Sequence, residues 1–187
     1  MGRVRQRRPD QVEAREPPHS RVQIVRNSLM KQTLTLAVGV LALLFVGAQF
    51  FQPDRTNPPL EPSLTIESHL SVPAAVDSLL RKACYDCHSN ETRWPWYSYV
   101  APSSWLVARD VEQARRHLNF SEWGRYRKTK AMTTLESLCD EITARTMPLS
   151  QYALMHPSAQ LTQQEIDLLC EWSESQIAAI LSADNNP

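Results

Sequence analysis

The five consecutive residues Cys84-Tyr85-Asp86-Cys87-His88 constrain the fold of this chain more than any other feature. Two thiols separated by two residues can both add to the vinyl groups on one edge of a porphyrin, and the histidine that follows directly is placed under the iron as proximal ligand. The motif therefore predicts one covalent haem c, held by Cys84 and Cys87 and ligated by His88. A domain that carries this group must fold around it, so the haem forms much of the core.

The same cysteines have two other interpretations. A redox dithiol of the thioredoxin kind would lie in a βαβ pattern, and none is visible around the motif. A zinc site would need a second pair of ligands. Cys139 and Cys170 are the only other cysteines, and they are too far apart in sequence to form a second C-x-x-C. Covalent haem is favoured over both, provided that the motif lies outside the cytoplasm.

An uncharged apolar segment, residues 33–51 (TLTLAVGVLALLFVGAQFF), supplies the expected export element. About 19 to 20 helical residues cross a hydrocarbon core of ~30 Å. Eight basic and three acidic residues precede the segment, and this excess of positive charge favours a cytoplasmic N-terminus. We therefore predict a disordered, cytoplasmic, Arg-rich tail at residues 1–31 and a single transmembrane anchor at residues 32–52. The haem domain would lie on the periplasmic side of the inner (cytoplasmic) membrane.

This N-terminal region also has two alternative interpretations. Val46-Gly47-Ala48 before Gln49 is similar to a signal-peptide cleavage site, but the apolar run is longer than the usual core of a signal peptide. An uncleaved anchor is therefore favoured. The basic tail is also compatible with a nucleic-acid-binding arm, but the positive-inside bias explains its charge without one. We predict the membrane as a partner, through one helix, and no nucleic acid.

The rest of the chain is predicted to form one small helical domain behind a spacer. Residues 53–72 contain four prolines, which indicates an extended spacer off the membrane. Residues 73–183 are long enough for one core. The chain has only four glycines, and no alternating apolar and polar run is long enough for a strand. We therefore predict an all-α fold, with a handful of short helices around a haem.

Four helices are predicted from their start signals and apolar spacing. The first begins at Pro73 and leads directly into the C-x-x-C-H motif, and the second is capped by Ser103 or Ser104. The third covers residues 131–145, and the fourth opens with a capping box at residues 162–165. The expected buried residues recur at helical spacing: Val76, Leu79, Leu80 and Ala83; Trp105, Leu106, Ala108, Val111 and Leu118; Met132, Leu135, Leu138, Cys139 and Ile142; and Ile166, Leu169, Cys170, Trp172 and Ile177.

Three sequence blocks, in this order, resemble the haem-binding-domain family. They are CYDCHSNETRWPWYSYVAPSSW, which starts at Cys84, then RRHLNFSEW, and then MPLSQYALMHPSAQLT, which starts at Met147. Members of this family are small, membrane-anchored bacterial proteins related to cytochrome c. The resemblance covers roughly residues 74–172. It implies a c-type haem on a mostly helical, cytochrome c-like domain.

The ligand on the opposite face of the iron is not fixed by the motif. Small c cytochromes commonly supply a methionine from a proline-stiffened loop after the third helix, and Met147-Pro148 fits this position. A thioether stabilises ferrous iron. We therefore predict His88 and Met147 as the two axial ligands. An open distal face is one alternative, and the other candidate ligands are Met132, Met155, His117 and His156.

The aromatic loop after the motif, residues 94–102, has two interpretations. Its rings could form a wall of the haem site, with Arg93, Trp94 and Trp96 in the haem environment and a guanidinium or an indole N–H meeting a propionate. They could equally form the ordinary core of a small domain. Since the haem would itself be part of that core, the two interpretations overlap.

Cys139 and Cys170 are the cysteines that the motif leaves over. In an oxidising compartment, an even pair of remaining cysteines favours a disulfide. This bond would join the third predicted helix to the last one and enclose the loop that carries Met147. Two separate buried thiols are the alternative.

No acid–base pair in a pocket, no Ser-His-Asp order and no phosphate loop is apparent in the sequence, so we expect an electron carrier rather than an enzyme. If both axial positions are filled, the iron cannot bind a substrate without losing a ligand. The first hypothesis is therefore a membrane-anchored monohaem electron-transfer cytochrome with an unidentified periplasmic redox partner. The alternative is a haem-based sensor or ligand-binding module with an open or weakly ligated distal face. A peroxidase-like enzyme is the third hypothesis.

Overall fold

The structure is a computed structural model that describes residues 18–184. It divides the chain into two compact units, with the boundary between Phe50 and Phe51. The described residues form helices and no strands, which confirms the all-α prediction. Residues 1–17, which are part of the predicted cytoplasmic tail, lie outside the described residues.

The first unit contains helix α1 (Pro18–Ala48). Proline suits the first position of a helix, where its missing N–H is not needed. Among the described residues, Arg26–Ala48 is the one helical segment that is apolar and long enough to cross a bilayer. Residues 18–31, which we expected to be disordered, are helical. No proline or glycine follows Pro18 in this stretch, so nothing prevents the helix from extending upstream of the apolar segment.

The second unit is built from short helices joined by 3-10 turns. Its α-helices are α2 (Ile66–His69), α3 (Ala74–Ala83), α4 (Tyr85–His88), α5 (Ser103–His117), α6 (Lys128–Thr143), α7 (Ser150–Met155) and α8 (Gln163–Asp184). Its 3-10 turns are Pro62–Leu64, Trp96–Tyr99, Phe120–Arg125 and Pro157–Ala159. Helices α3, α5, α6 and α8 are the four predicted ones, and α6 begins and ends slightly earlier than expected.

The proline-rich segment that we expected to be a spacer packs on the domain instead. The Asn57 side chain donates to the Thr92 carbonyl oxygen (2.9 Å), and the Asn90 side chain donates to the Pro59 carbonyl oxygen (3.2 Å). Ile66, in α2, is fully buried in the core. Proline leaves no backbone N–H to satisfy, so an extended proline-rich run can lie against a protein surface at little cost. The segment is therefore part of the folded unit.

The hydrophobic core forms where α8 packs against α6 and α3. All four residues predicted to be buried in α3 are buried, together with most of those predicted in α6 and α8. They are Val76, Leu79, Leu80, Ala83, Leu135, Leu138, Ile142, Ile166, Leu169 and Trp172. The ring of Tyr85, inside the C-x-x-C-H motif, stacks on the buried ring of Phe120 at 5.0 Å between centroids. The motif is therefore attached directly to the core.

Helix α8 begins with the predicted capping box. The Thr162 N–H donates to Glu165 Oε2 (2.8 Å), and the Glu165 N–H donates to Thr162 Oγ1 (3.3 Å). Glu165 also forms an ion pair with Lys82, near the end of α3. The start of α8 is therefore fixed against the helix that leads into the motif.

Two of the expected core residues in α5 are on the surface. Trp105 and Leu106 are 42 % and 40 % exposed, whereas Val111 on the same helix is buried as predicted. Helical spacing identifies which residues share a face, but it does not show where a helix extends beyond its neighbours. The first turn of α5 therefore keeps an exposed apolar face.

A disulfide joins Cys139 on α6 to Cys170 on α8, with 5.0 Å between their Cα atoms. The bond links the two helices whose packing forms much of the core. The loop that it closes contains residues 144–162, including Met147. The cross-link therefore restrains both the core and the segment after α6.

The double substitution Cys139→Ala, Cys170→Ala should lower the free energy of unfolding by about 3 kcal/mol, because the unfolded chain regains the entropy of an open loop. Unfolding of the full chain in detergent, with guanidinium as denaturant and circular dichroism as the signal, would measure the change. A reductant should produce most of the same loss in the wild-type protein and none in the double variant. An unfolding curve of the wild-type protein that does not respond to reductant would contradict this expectation.

Candidate haem-binding site

The C-x-x-C-H motif forms the junction between α3 and the single-turn helix α4. Cys84 has φ −126° and ψ −39°, so the chain leaves the helical path for one residue before α4 begins. The N–H groups of Cys87 and His88 then donate to the Cys84 carbonyl oxygen, at 3.1 and 2.9 Å. Residues three and four apart in a helical turn lie on one face. The local backbone therefore brings both thiols and the imidazole to the same side.

The imidazole of His88 is oriented by the end of α5. Its Nδ1 lies 3.0 Å from the backbone carbonyl oxygen of Leu118, which directly follows α5. A carbonyl oxygen only accepts hydrogen bonds, so Nδ1 carries the hydrogen and Nε2 keeps its lone pair. Burial lowers the pKa of His88, although the bond to Leu118 acts in the opposite direction. The ring is therefore neutral near pH 7, in the tautomer that a metal ligand requires.

Cys84 and Cys87 are free, partly buried thiols. Burial raises the pKa of Cys84 to about 12 and the pKa of Cys87 to about 11. Both are protonated at neutral pH, whereas a redox dithiol depends on a thiolate with a lowered pKa. Within residues 18–184, no three His, Cys, Asp or Glu side chains are grouped so that they could hold a metal ion by themselves. The geometry therefore gives no support to the redox-dithiol and zinc interpretations.

The motif lines a cavity of about 650 Å³ that α5 and α6 border. Cofactor and small-molecule sites usually have volumes of about 300–1,000 Å³. Helix α6 contributes two rows of side chains to the lining. The buried row is Thr134, Leu138 and Ile142, and the exposed row is Lys130, Thr133, Ser137 and Glu141. The cavity therefore has a largely apolar wall and a polar rim.

This cavity brings together the four residues that we predicted to hold the haem. Cys84, Cys87 and His88 line it from the α3–α4 junction, and Met147 lines it from the loop after α6. Met147 is about sixty positions from the motif in sequence. The tertiary fold therefore brings it to the same cavity as the motif. The donor set is two thiols, an imidazole with a free Nε2 and a thioether.

The loop that carries Met147 is shaped by the end of α6. Arg145 adopts a left-handed backbone conformation (φ 59°), which ends the helix. The N–H groups of Thr146 and Met147 donate to the Glu141 carbonyl oxygen at 3.0 and 3.2 Å. The Arg145 guanidinium donates to the Leu161 carbonyl oxygen at 2.6 Å. These bonds hold Met147 beside the cavity and against the core.

A second contact joins the motif to the helix after this loop. The Tyr152 hydroxyl on α7 donates to Asp86 Oδ2 at 2.8 Å, and the Arg93 backbone N–H donates to Asp86 Oδ1 at 3.2 Å. Burial and the negative charge of Asp86 raise the pKa of Tyr152, so the hydroxyl keeps its hydrogen. This pair was not predicted from the sequence. Its only signal was an acidic residue at one of the two variable positions of the motif.

The other candidate distal ligands are less well placed. Met132, Met155 and His156 lie outside the lining of the cavity. His117 does line the cavity. However, it is the residue before Leu118, whose carbonyl oxygen accepts the hydrogen bond from His88 Nδ1. His117 therefore belongs to the His88 side of the site. Among the candidates, the cavity favours Met147.

Arg93, Trp94 and Trp96 do not line this cavity, so their place in the haem environment stays a prediction. The Arg93 side chain is exposed, and Trp96 is 72 % exposed. Trp94 lines a separate, open cavity of about 910 Å³ together with Pro53 and residues of α5. The turn at residues 96–99 packs against α5, so the aromatic loop covers a part of that helix outside the haem cavity.

The chemistry of the cavity fits a large ring with acidic substituents. Thr134 is 6 % exposed in the cavity wall, and its hydroxyl has no hydrogen-bond partner among the described residues. A buried hydroxyl in this state costs about 1–3 kcal/mol, which a carboxylate acceptor on a bound group would offset. Lys130 lies one helical turn before Thr134, at the rim. A hydroxyl and an ammonium on one face suit haem carboxylates, and Leu138 and Ile142 suit the apolar ring.

The fold and the site define a class: an all-helical protein with a cysteine–histidine motif that opens into a cofactor-sized cavity. Residues 43–175 match the haem-binding domain family, which is more than half of the chain. The chain belongs to this family and is a haem-binding protein, which confirms the resemblance of its three sequence blocks. Comparisons with curated proteins and with solved structures gave no match.

Proposed function

We propose that this protein is a membrane-anchored periplasmic cytochrome that carries one covalent haem c and transfers single electrons. The observation that carries the proposal is the cavity that Cys84, Cys87 and His88 share with Met147. A bound haem supplies an iron that cycles between the ferric and ferrous states. The residues of the chain hold the group, provide its ligands and keep water away from it.

Cys84 and Cys87 attach the group covalently in this proposal. Each thiol would add across one vinyl group of the haem, with its sulfur bonding to one vinyl carbon and its hydrogen going to the other. The α4 turn keeps both sulfurs on one face, which suits two vinyl groups on one edge of a ring. The addition consumes protonated thiols, and burial keeps both Cys84 and Cys87 protonated.

His88 and Met147 would be the two side chains that ligate the haem iron in this proposal. His88 offers Nε2 because its Nδ1 donates to the Leu118 carbonyl oxygen. Met147 offers a thioether, which favours ferrous iron and raises the reduction potential. With two side chains as ligands, the iron would have no open site for a substrate, which favours electron transfer. The Asp86–Tyr152 bond supports the ligand pair, because it connects the motif to the helix after Met147.

Location in the membrane is the second element of the proposal. Helix α1 is apolar and long enough to cross a bilayer over Arg26–Ala48, and the basic residues before it favour a cytoplasmic N-terminus. The haem domain then lies in the periplasm with its unidentified redox partner. The Cys139–Cys170 disulfide supports this location, because such bonds persist in oxidising compartments.

Two spectra of the purified full chain test the function. A pyridine haemochrome spectrum measures the type and number of haems, and we expect one haem c per chain. Addition of carbon monoxide to the ferrous protein reports on the distal side, and we expect little binding because Met147 occupies it. Ready binding of carbon monoxide to the wild-type protein would favour a ligand-binding module over an electron carrier.

Thr134→Val should destabilise the haem-loaded protein by about 1 kcal/mol, because it removes the hydroxyl that we expect to donate to a haem carboxylate. Guanidinium unfolding of the full chain, followed at the Soret band, would measure the change. If the hydroxyl has no acceptor in the loaded protein, the same substitution should instead stabilise it, because an unsatisfied polar group is removed. The sign of the change therefore tests the assignment.

Thr133→Val is the matched control for this substitution. Thr133 is the preceding residue of α6, but it is exposed and its hydroxyl donates to the carbonyl oxygens of Thr129 and Lys130, both at 3.1 Å. We expect the stability to change by less than about 0.5 kcal/mol. Thr134→Ser, which keeps the hydroxyl, should retain more of the stability than Thr134→Val.

A further inference from the structure

We propose that an exposed aromatic face at the start of α5 rests on the lipid bilayer, so that the haem domain lies against the membrane that anchors it. The aromatic face consists of Phe51, Trp96, Tyr99, Val100, Trp105 and Leu106, all of which are exposed. The inference rests on the proposed anchoring by α1. In addition to α1, the haem domain would then contact lipid through a surface of its own.

Most of the aromatic face comes from one short stretch of the chain. Five of its six members lie within residues 96–106, and the 3-10 turn at the beginning of this stretch packs on α5. Trp105 and Leu106 have the helical spacing of core residues, yet the fold leaves both on the surface. Apolar side chains that are grouped and exposed in this way mark a surface that binds a partner.

Two contacts join the aromatic face to the residues that directly follow the anchor. Trp105 Nε1 donates to the Phe51 carbonyl oxygen at 2.6 Å. The Arg55 guanidinium lies 4.4 Å from the centroid of the Tyr99 ring. Helix α1 ends at Ala48, and each residue of extended chain spans at most ~3.6 Å. Trp105 is therefore hydrogen-bonded to a residue that follows the proposed anchor by only three positions in the chain.

The composition of the aromatic face suits the headgroup region of a bilayer. Trp and Tyr are enriched where membranes meet water, because their rings are apolar and their N–H and O–H groups are polar. Residues 93–109 include two arginines, at the two ends, and no Asp or Glu. Contact of this stretch with lipid would therefore bury none of its own carboxylates. The Arg93 side chain is exposed and can pair with a lipid phosphate, whereas Arg109 already forms an ion pair with Asp110.

A protein partner is the other possible occupant of the aromatic face. The bilayer is favoured because the chain itself brings it close: the anchor ends three residues before Phe51, whose carbonyl oxygen binds Trp105. A protein partner would have to compete with lipid that is already adjacent. Lipid is therefore the proposed occupant of the aromatic face.

Site-specific photocrosslinking of the full chain in membranes tests the inference. p-Benzoylphenylalanine is introduced in place of Leu41, Trp96 or Leu154 in three separate variants, and adducts are identified by mass spectrometry after irradiation. Leu41 lies in α1 and reports on the anchor. Trp96 reports on the aromatic face, and Leu154 on α7 is the matched control, since the two are 72 % and 78 % exposed. All three side chains are exposed, so the substitutions leave the core intact, and equal haem content would verify this.

We expect lipid adducts at position 41, and at position 96 at least about tenfold more lipid adduct than at position 154. Lipid adducts at 41, with position 96 no higher than position 154, would overturn the docking and leave the anchor in place. Adducts at 96 to protein instead of lipid would overturn it in favour of a protein partner. Absence of lipid adducts at position 41 would overturn the anchor, and with it the proposed function in the membrane.

Discussion

Replacing both Cys84 and Cys87 by alanine should remove essentially all of the haem that survives denaturation of the protein. In the proposed site, two thioether bonds would link the macrocycle covalently to the chain, and a His88–iron bond alone would not withstand denaturing electrophoresis. The measurement is a haem stain on a denaturing gel, normalised to the amount of chain by immunoblot. Full stain in the double variant would exclude covalent attachment at this motif.

The Cys139→Ala, Cys170→Ala variant is the control for this experiment. It removes the same number of sulfurs, but these form the α6–α8 disulfide and do not line the cavity. Its stain per chain should stay close to that of the wild-type protein, even if less protein accumulates. The single variant Cys87→Ala should lose most of the stain, because the motif then retains one thiol.

Met147→Ala should change the electronic properties of the haem without releasing it. The weak near-infrared charge-transfer band of ferric haem bound to methionine sulfur should disappear. The reduction potential should fall by on the order of 0.1 V, because the thioether no longer favours ferrous iron. The ferrous protein should also bind carbon monoxide. Visible and near-infrared spectra with a redox titration of the full chain would measure all three effects.

Met155→Ala is the matched control for the axial ligand. Met155 is exposed and lies outside the lining of the cavity, whereas Met147 lines it and packs on the core. Its spectrum and potential should remain nearly unchanged. If the near-infrared band is missing in the wild-type protein, or persists in Met147→Ala, the ligand lies elsewhere and the electron-carrier proposal loses its main support.

The local features of the fold were readily predicted from the sequence. The four apolar residues at helical spacing in α3 are buried, and the capping box at Thr162 and Glu165 opens α8. These signals depend only on residues within one or two turns of each other. The cysteine–histidine motif is equally local, because five consecutive residues are enough to predict its role. Met147 is different: only its proline neighbour and its place in the chain pointed to it.

The long-range contacts left no such signal. The sequence did not indicate that the Leu118 carbonyl oxygen would orient His88, and the acidic Asp86 in the motif did not by itself identify Tyr152 as its partner. The exposed position of Trp105 could not be predicted either, because its spacing is that of a core residue. In each case the outcome depends on where separate helices pack, which propensity and periodicity do not determine.

If α1 is the anchor, the proline-rich segment after it limits how far the haem domain can move from the membrane. Phe51, Asn57 and Pro59 are hydrogen-bonded to the domain, so the tether that connects them to α1 is only a few residues long, and each of its residues spans at most ~3.6 Å. A tether of this length gives no access to sites beyond its reach. We therefore expect a soluble redox partner to exchange electrons only after it diffuses to the bilayer surface. A partner embedded in the same membrane would meet the haem by lateral diffusion, in two dimensions.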